Sequence, residues 1–191
     1  MPAEVQRTSI QYPGGLAARY RWAGSGRGED VFALSEAGGS LADLGTLASE
    51  SPERACRAEL RVEGPLGTWT VRLASAVFDE PQGLLWDDAG LLVVKYGFVA
   101  YGLVGRTGNL AWHLACGTPI VAILGSSRLD HVLIQGEVET IAVRGDGSVV
   151  WRAAHDEVVT EAEMIGGRLV IVGFDGRVRA LDAATGRSLG E

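Results

Sequence analysis

The stretch Arg168-Leu-Val-Ile-Val-Gly-Phe-Asp-Gly-Arg-Val-Arg-Ala-Leu-Asp-Ala-Ala-Thr-Gly-Arg-Ser-Leu189 decides the fold. Leu169 to Val172 is a short apolar run that predicts a strand, and Asp175-Gly176 supplies the positive φ of a tight hairpin. Val178 to Leu181 is the return strand, and Thr185-Gly186 is the next turn. Two upstream segments, Leu91 to Trp112 and His131 to Trp151, have the same layout. Gly108, Gly147 and Gly186 recur 39 residues apart, and Val99, Val138 and Val178 recur at intervals of 39 and 40. Trp112 and Trp151 each follow their glycine by four residues; the third unit has Gly190 at that place. Ile120 to Leu124 and Val158 to Met164 add one more strand between units. Three or four short antiparallel strands in ~40 residues is the unit of a β-propeller blade.

Residues 1–84 read differently. Cys56-Arg-Ala-Glu-Leu-Arg-Val-Glu63 alternates, with Cys56, Ala58, Leu60 and Val62 on one face. Trp69 to Leu73 alternates too, and Gly64 to Gly67 between them is a hairpin loop. Val5 to Tyr12, Leu16 to Trp22 and Asp30 to Leu34 are further strands. Leu41, Leu44 and Leu47 at spacing three, with Ser40 as cap, predict a short helix over 41–50. Gly-Ser-Gly-Arg-Gly at 24–28 is a hairpin tip or loop, without the pattern of a phosphate cradle.

Ala180-Leu-Asp-Ala-Ala-Thr-Gly-Arg187 resembles the A-L-D-x-x-T-G-[KR] signature of the PQQ-like (quinoprotein-type) β-propeller repeats. Arg106 to Trp112 resembles that family's T-G-x-x-x-W ending, and Asp146 to Trp151 is a looser copy. The resemblance covers about residues 85–191. It implies that Trp112 and Trp151 dock one blade on the next, and that Asp182 with the Thr-Gly pair shapes a turn. The family's dehydrogenases are several times longer, are exported, ring a quinone with up to eight blades, and many carry a vicinal Cys-Cys pair. This sequence has neither that pair nor a secretory pattern at its start, so the resemblance argues for the repeat and against the enzyme.

The expected fold is therefore all-β: three propeller-type, WD40-like repeats over 85–191 behind a β-rich segment over 1–84, in one compact unit. Three repeats fall short of the four blades of the smallest propellers. A degenerate fourth blade from the N-terminal strands, or an open, sandwich-like stack, is favoured over closure by a second chain, because open edges invite aggregation.

Composition narrows the function. Glycine is 27 of 191 residues, which fits many tight turns, and an apolar content of 47% excludes a disordered chain. No apolar run approaches the 18 residues of a membrane helix. Net charge is −7, which disfavours nucleic acid as a partner. Cys56 and Cys116 lie sixty residues apart, and a bacterial, cytoplasmic, reducing setting with free thiols is expected.

Few residues suggest chemistry. His113 and Cys116 are three apart, too few ligands for zinc. Asp130-His131 beside Ser126-Ser127 invites a Ser/His/Asp reading, without a nucleophile elbow. Asp79-Glu80 and Asp87-Asp88 flank turns, and Glu137 and Glu139 share a strand face. No cofactor or metal is expected. The function expected is a non-catalytic module that binds another protein, one of basic character, in the manner of a toxin-neutralising immunity protein. The alternative is a small hydrolase using scattered Asp, Glu or His. Candidate contact residues are Glu137 and Glu139, then Asp79 and Glu80, with the aromatic group Tyr96, Phe98 and Tyr101 as the apolar option.

Overall fold

A computed structural model describes residues 5–23, 43–44 and 56–190. The chain forms two compact units: Met1–Pro81 with Leu103–Leu110, and Gln82–Gly102 with Ala111–Glu191.

The first unit is built on one sheet. Strands β1 (Val5–Tyr12), β2 (Leu16–Ala23), β3 (Asp43–Leu44), β4 (Cys56–Gly64) and β5 (Gly67–Ser75) pair in the order β1-β2-β4-β5-β3. All pairings are antiparallel except β3 with β5. Pro13-Gly14-Gly15 closes the first hairpin, with Gly14 at φ 76°, a conformation that glycine adopts without strain. The period-2 alternation sorts the faces. Ala18, Tyr20 and Trp22 on β2, Ala58, Leu60 and Val62 on β4, and Val71 and Leu73 on β5 are buried together on one side. The expected helix over 41–50 is corrected at Asp43–Leu44, where the backbone pairs with Arg72 and Leu73 as a strand. The rest of that segment, the loop at 24–28 and the strand expected at 30–34 lie outside the described residues.

The second unit holds the repeats. One sheet has the order β6 (Gln82–Trp86), β7 (Leu91–Tyr96), β8 (Val99–Val104), β9 (Leu110–Ala115). The next has β10 (Ile120–Leu124), β11 (Val132–Gly136), β12 (Glu139–Val143), β13 (Val149–Ala154). The last has β14 (Val159–Ile165), β15 (Arg168–Gly173) and β16 (Val178–Asp182). Each is a meander of sequential antiparallel neighbours, the form of a propeller blade. Strand β10 packs beside β6 and β14, so the first strands of the three sheets are neighbours. Leu133, Ala142, Val159, Leu169, Ile171, Leu181 and Ala183 form a core between the last two sheets, and Trp151 packs against it.

The glycine period survives in three dimensions and the valine period does not. Val99 is buried, whereas Val138 and Val178 are exposed, and Val138 sits in the turn before β12 rather than in a strand. Backbone bonds from Cys116 to Phe98 and from His155 to Val138 show that Val138 corresponds to Phe98.

Candidate functional site

The turns carrying the repeated glycines begin at Val104, Arg144 and Asp182, whose carbonyls accept from Gly108, Gly147 and Gly186. All three glycines have positive φ, at 73°, 85° and 71°. Each lies against a tryptophan of the preceding sheet: Gly108 on Trp69, Gly147 on Trp112, Gly186 on Trp151. A Cβ on Gly186 would come within 2.5 Å of the Trp151 ring, so only glycine meets both demands. The expected docking role of Trp112 and Trp151 is what this geometry describes. Trp69 makes a third such contact that the sequence reading missed; it follows its turn glycine, Gly67, by two residues rather than four.

The carbonyl one residue into each turn belongs to Gly105, Gly145 or Ala183. Trp69 Nε1 donates to Gly105 O at 2.9 Å and Trp112 Nε1 to Gly145 O at 3.1 Å. At the third turn Trp151 Nε1 is buried without an acceptor, and His131 Nε2 meets Ala183 O at 2.9 Å instead. A carbonyl only accepts, so Nε2 carries a proton. His131 Nδ1 meets Asp130 Oδ1 at 2.8 Å, and the imidazole stands edge-on to the Trp151 ring with centroids 6.2 Å apart. His131 has thus taken over the donor role of the missing tryptophan bond.

That assignment removes the Ser/His/Asp reading. Both imidazole nitrogens are occupied by Asp130 and Ala183, and Ser126 Oγ accepts from the Arg128 backbone at 3.3 Å. The hydrogen bond from His131, then the Arg144 guanidinium, hold the Asp130 carboxyl below its ordinary range. Asp182 is lowered by hydrogen bonds from Thr185, whose hydroxyl lies at 2.9 Å and backbone N–H at 2.8 Å. Asp146 is lowered by hydrogen bonds from Ser148. These carboxylates shape turns, as the family resemblance implies for Asp182.

Two adjoining clefts of about 390 and 470 Å³ open where β6 and β10 end, sharing Trp86, Asp88 and Ser127. Asp87 lines the first beside His131; Arg128 and Asp130 line the second. The acidic groups there are interleaved with Arg128 and with the Arg144–Asp130 pair at 3.5 Å. Ser126, Ser127 and His131 all line the first cleft, where both nitrogens of the imidazole are engaged by Asp130 and Ala183. Among the described residues no group of three or more His, Cys, Asp and Glu side chains gathers as a metal site. His113 is exposed and Cys116 buried. Burial, then the negative charge of Glu139, pushes the Cys116 thiol up to about 11, which leaves it protonated and unreactive.

A second hydrogen-bonded group lies at the opposite end of β11 and β12. Gln135 Nε2 donates to Gly136 O at 2.7 Å, which fixes its amide; Thr140 Oγ1 then donates to Gln135 Oε1 at 2.6 Å. Thr140 has one proton, so it accepts from His155 Nε2 at 2.7 Å. Burial first, then Arg179, lowers the His155 pKa. The chain of bonds is closed on protein groups and is structural.

At that end the hairpin turns are tied to the linkers between sheets. Glu137 N–H bonds Pro119 O, Val159 N–H bonds Glu137 O at 2.6 Å, and Phe174 N–H bonds Val158 O at 2.7 Å. The bonds gather Val138, Val158 and Phe174, with Val178 at the end of the same turn. Phe174 is 81% exposed on a turn braced by backbone hydrogen bonds, and Val178, 62% exposed, opens β16. Glu137 lies in this group. It is in the turn, not on β12, so it does not share a strand face with Glu139. Glu139 is turned to Arg152 in a 3.2 Å ion pair.

The aromatic candidates are corrected by burial. Tyr96 and Tyr101 have 0% exposure and belong to the core, and Phe98 is half-buried. Burial pushes the Tyr101 hydroxyl up to about 12. Asp79 and Glu80 lie in the first unit on the link after β5, next to exposed Phe78.

Sequential meanders of four, four and three strands joined by tryptophan–glycine contacts define a propeller-type repeat protein. The chain matches, over residues 68–189, the PQQ-like repeat family described as outer membrane protein assembly factor BamB, and it belongs to that family. No curated protein matches it. Among solved structures it resembles BamB from Moraxella catarrhalis, with 16% identity and a TM-score of 0.58 over 95% of this chain and 50% of that one. It resembles the C-terminal WD40 domain of Sif2, with 12% identity and a TM-score of 0.52 over 68% of this chain and 43% of that one. It also resembles the computationally designed Ika4 protein, with 14% identity and a TM-score of 0.50 over 78% of this chain and 95% of that one. The chain spans half the length of the BamB structure. At these identities the likeness is one of fold.

Proposed function

We propose that the protein is a non-catalytic scaffold that binds another protein through the turn end of its last two sheets. The observation that carries this reading is Phe174, an aromatic side chain 81% exposed on a turn held by backbone hydrogen bonds. Rigid aromatic anchors with apolar neighbours are the centres of protein interfaces, and Val138, Val158 and Val178 are exposed on the turns and linker that the backbone hydrogen bonds bring to this end. Glu137 gives it an acidic margin. A toxin-neutralising form of this role is supported only by the net charge of −7 and by that margin. A cytosolic, reducing location belongs to the same proposal and is supported by Cys56 and Cys116, both buried and unbridged. The hydrolase alternative loses its best general base, because His131 is spent on Asp130 and Ala183.

The test is affinity capture from a lysate of the native source with the wild-type chain and the double variant Phe174→Ser/Val178→Ser. Both residues are largely outside the core, so melting temperature should change little. A protein retained by the wild type and lost at least tenfold by the variant supports the reading. Equal retention by both chains refutes it.

A further inference from the structure

The last sheet leaves one face uncovered. Leu169, Ile171 and Leu181 turn to the second sheet and share its core, so by alternation Val170, Val172, Val178 and Ala180 turn the other way. Register sets that face in three rows: Glu161, Val172 and Val178; Glu163, Val170 and Ala180; Ile165, Arg168 and Asp182. None of the nine is buried, and Val178 and Ile165 are 62% and 52% exposed. The corresponding face of the second sheet has the rows Ala122, Gln135 and Thr140, then Leu124, Leu133 and Ala142. There Gln135, Thr140, Leu133 and Ala142 are all at 0% exposure. The two faces are thus inverted: covered, polar Gln135 and Thr140 give way to uncovered, apolar Val172 and Val178. A repeat whose outer face meets only water has a polar one, and an exposed apolar patch marks an interaction site.

We infer that this face docks a segment of a partner protein that carries an aromatic side chain between basic ones. The seat for the aromatic group is Ala180. Trp112 lies on Gly102, and Trp151 is the register partner of Ala142. In the second sheet the pairing runs from Val143 with Val149 to Ala142 with Trp151. In the last it starts from Leu181 with Ser188 and runs toward Ala180, which puts Gly190 at the tryptophan's place. Gly190 has no side chain to lie there, and Ala180 stays half-buried. The charge comes from Glu161 and Glu163, both exposed, at the places of Ala122 and Leu124 in the second sheet. Arg168 and Asp182 are register partners of opposite sign and offset each other, so the face has an acidic border beside its valines. Lysine or arginine flanking the aromatic group complements that border. A second copy of this chain brings the same carboxylates at a net charge of −7, which disfavours it as the occupant. The inference rests on the reading of the chain as a protein-binding scaffold, and it adds a surface that does not use Phe174.

The experiment titrates the full chain, by fluorescence anisotropy at low salt, with three labelled peptides: Lys-Lys-Trp-Lys-Lys, Lys-Lys-Ser-Lys-Lys and Glu-Glu-Trp-Glu-Glu. The first should bind at least about fivefold more tightly than either of the others, since each of those lacks one of the two features. Ala180→Gln fills the seat and should weaken the tryptophan peptide at least about fivefold while leaving the serine peptide unchanged. Val178→Gln, at a largely exposed place, should weaken the tryptophan peptide at least about threefold with its melting temperature kept. Glu161→Gln/Glu163→Gln should weaken both lysine peptides, again without a change in melting temperature. Phe174→Ser should bind as wild type does, and the chain alone should sediment as a monomer. No binding of the tryptophan peptide, equal binding of the serine peptide, no loss in Val178→Gln or in the glutamate variant, or loss in Phe174→Ser would each overturn the inference. So would a wild-type dimer that Val178→Gln disperses, because a second copy would then be the occupant. A captured partner that Phe174→Ser alone releases keeps the scaffold reading standing even if these peptides fail to bind.

Discussion

The junctions at Trp112 and Trp151 come from the same repeat and are built differently. Trp112 lies on Gly102 of its own sheet, so close that a Cβ there would fall 2.3 Å from the ring. Its Nε1 reaches Gly145 O. The register partner of Trp151 is Ala142, a residue with a side-chain methyl where Trp112 lies on a glycine. Trp151 makes no indole hydrogen bond, and a histidine from another strand satisfies the carbonyl. A repeat can therefore keep its glycine–tryptophan contact while passing the polar part of the work to a neighbour.

The largest effects should come from the feature that both junctions share. Gly147→Ala and Gly186→Ala force a left-handed residue, at ~1–2 kcal/mol, and overpack a ring contact, at ~1–3 kcal/mol. Each should cost about 2–5 kcal/mol in urea unfolding, and a loss below 1 kcal/mol in either would show that the contact is not a constraint.

The next pair separates the junctions. Trp112→Phe removes a donor to the half-buried Gly145 O, costing about 0.5–1.5 kcal/mol beyond the change in packing. Trp151→Phe removes an N–H that has no acceptor and should be near neutral. Similar losses in the two variants would erase the distinction. Gly102→Ala sharpens it, because the new methyl should displace Trp112 and make that variant insensitive to a further Trp112→Phe change.

The smallest effect is on pH. Asp130 and Asp182 support the third junction and Asp146 the turn of the second, and all three sit below their ordinary range. A lowered carboxylate contributes its full stabilisation above the unfolded value of about 3.9 and loses it as pH falls through the folded value. Acidification below about pH 4 should loosen the third junction first, since it depends on two carboxylates rather than one. Amide exchange of Gly186 should accelerate before that of Gly147, and the reverse order would refute this reading.

Much of the repeat was legible because its signals are local. Asp-Gly and Thr-Gly turns fix φ within a few residues, and apolar runs fix strands, so β1 and β10 fall where the sequence predicts them. Trp69 escaped because it follows its turn glycine, Gly67, by two residues, off the four-residue spacing that marks Trp112 and Trp151. Tyr96 and Tyr101 misled as contact residues because aromatic residues in a strand look alike whether the next sheet covers them or not.

The sequence by itself determined an all-β chain of propeller-type repeats, the glycines of its turns and the faces of its strands, since each depends on a few neighbouring residues. Only the tertiary structure decided which donor serves Ala183, which valines are core, and that Val172 and Val178 lie on an uncovered face. Those facts depend on strand register and on the packing of sheets, where residues up to 52 positions apart meet and where a shift of one residue would turn every side chain to the other side.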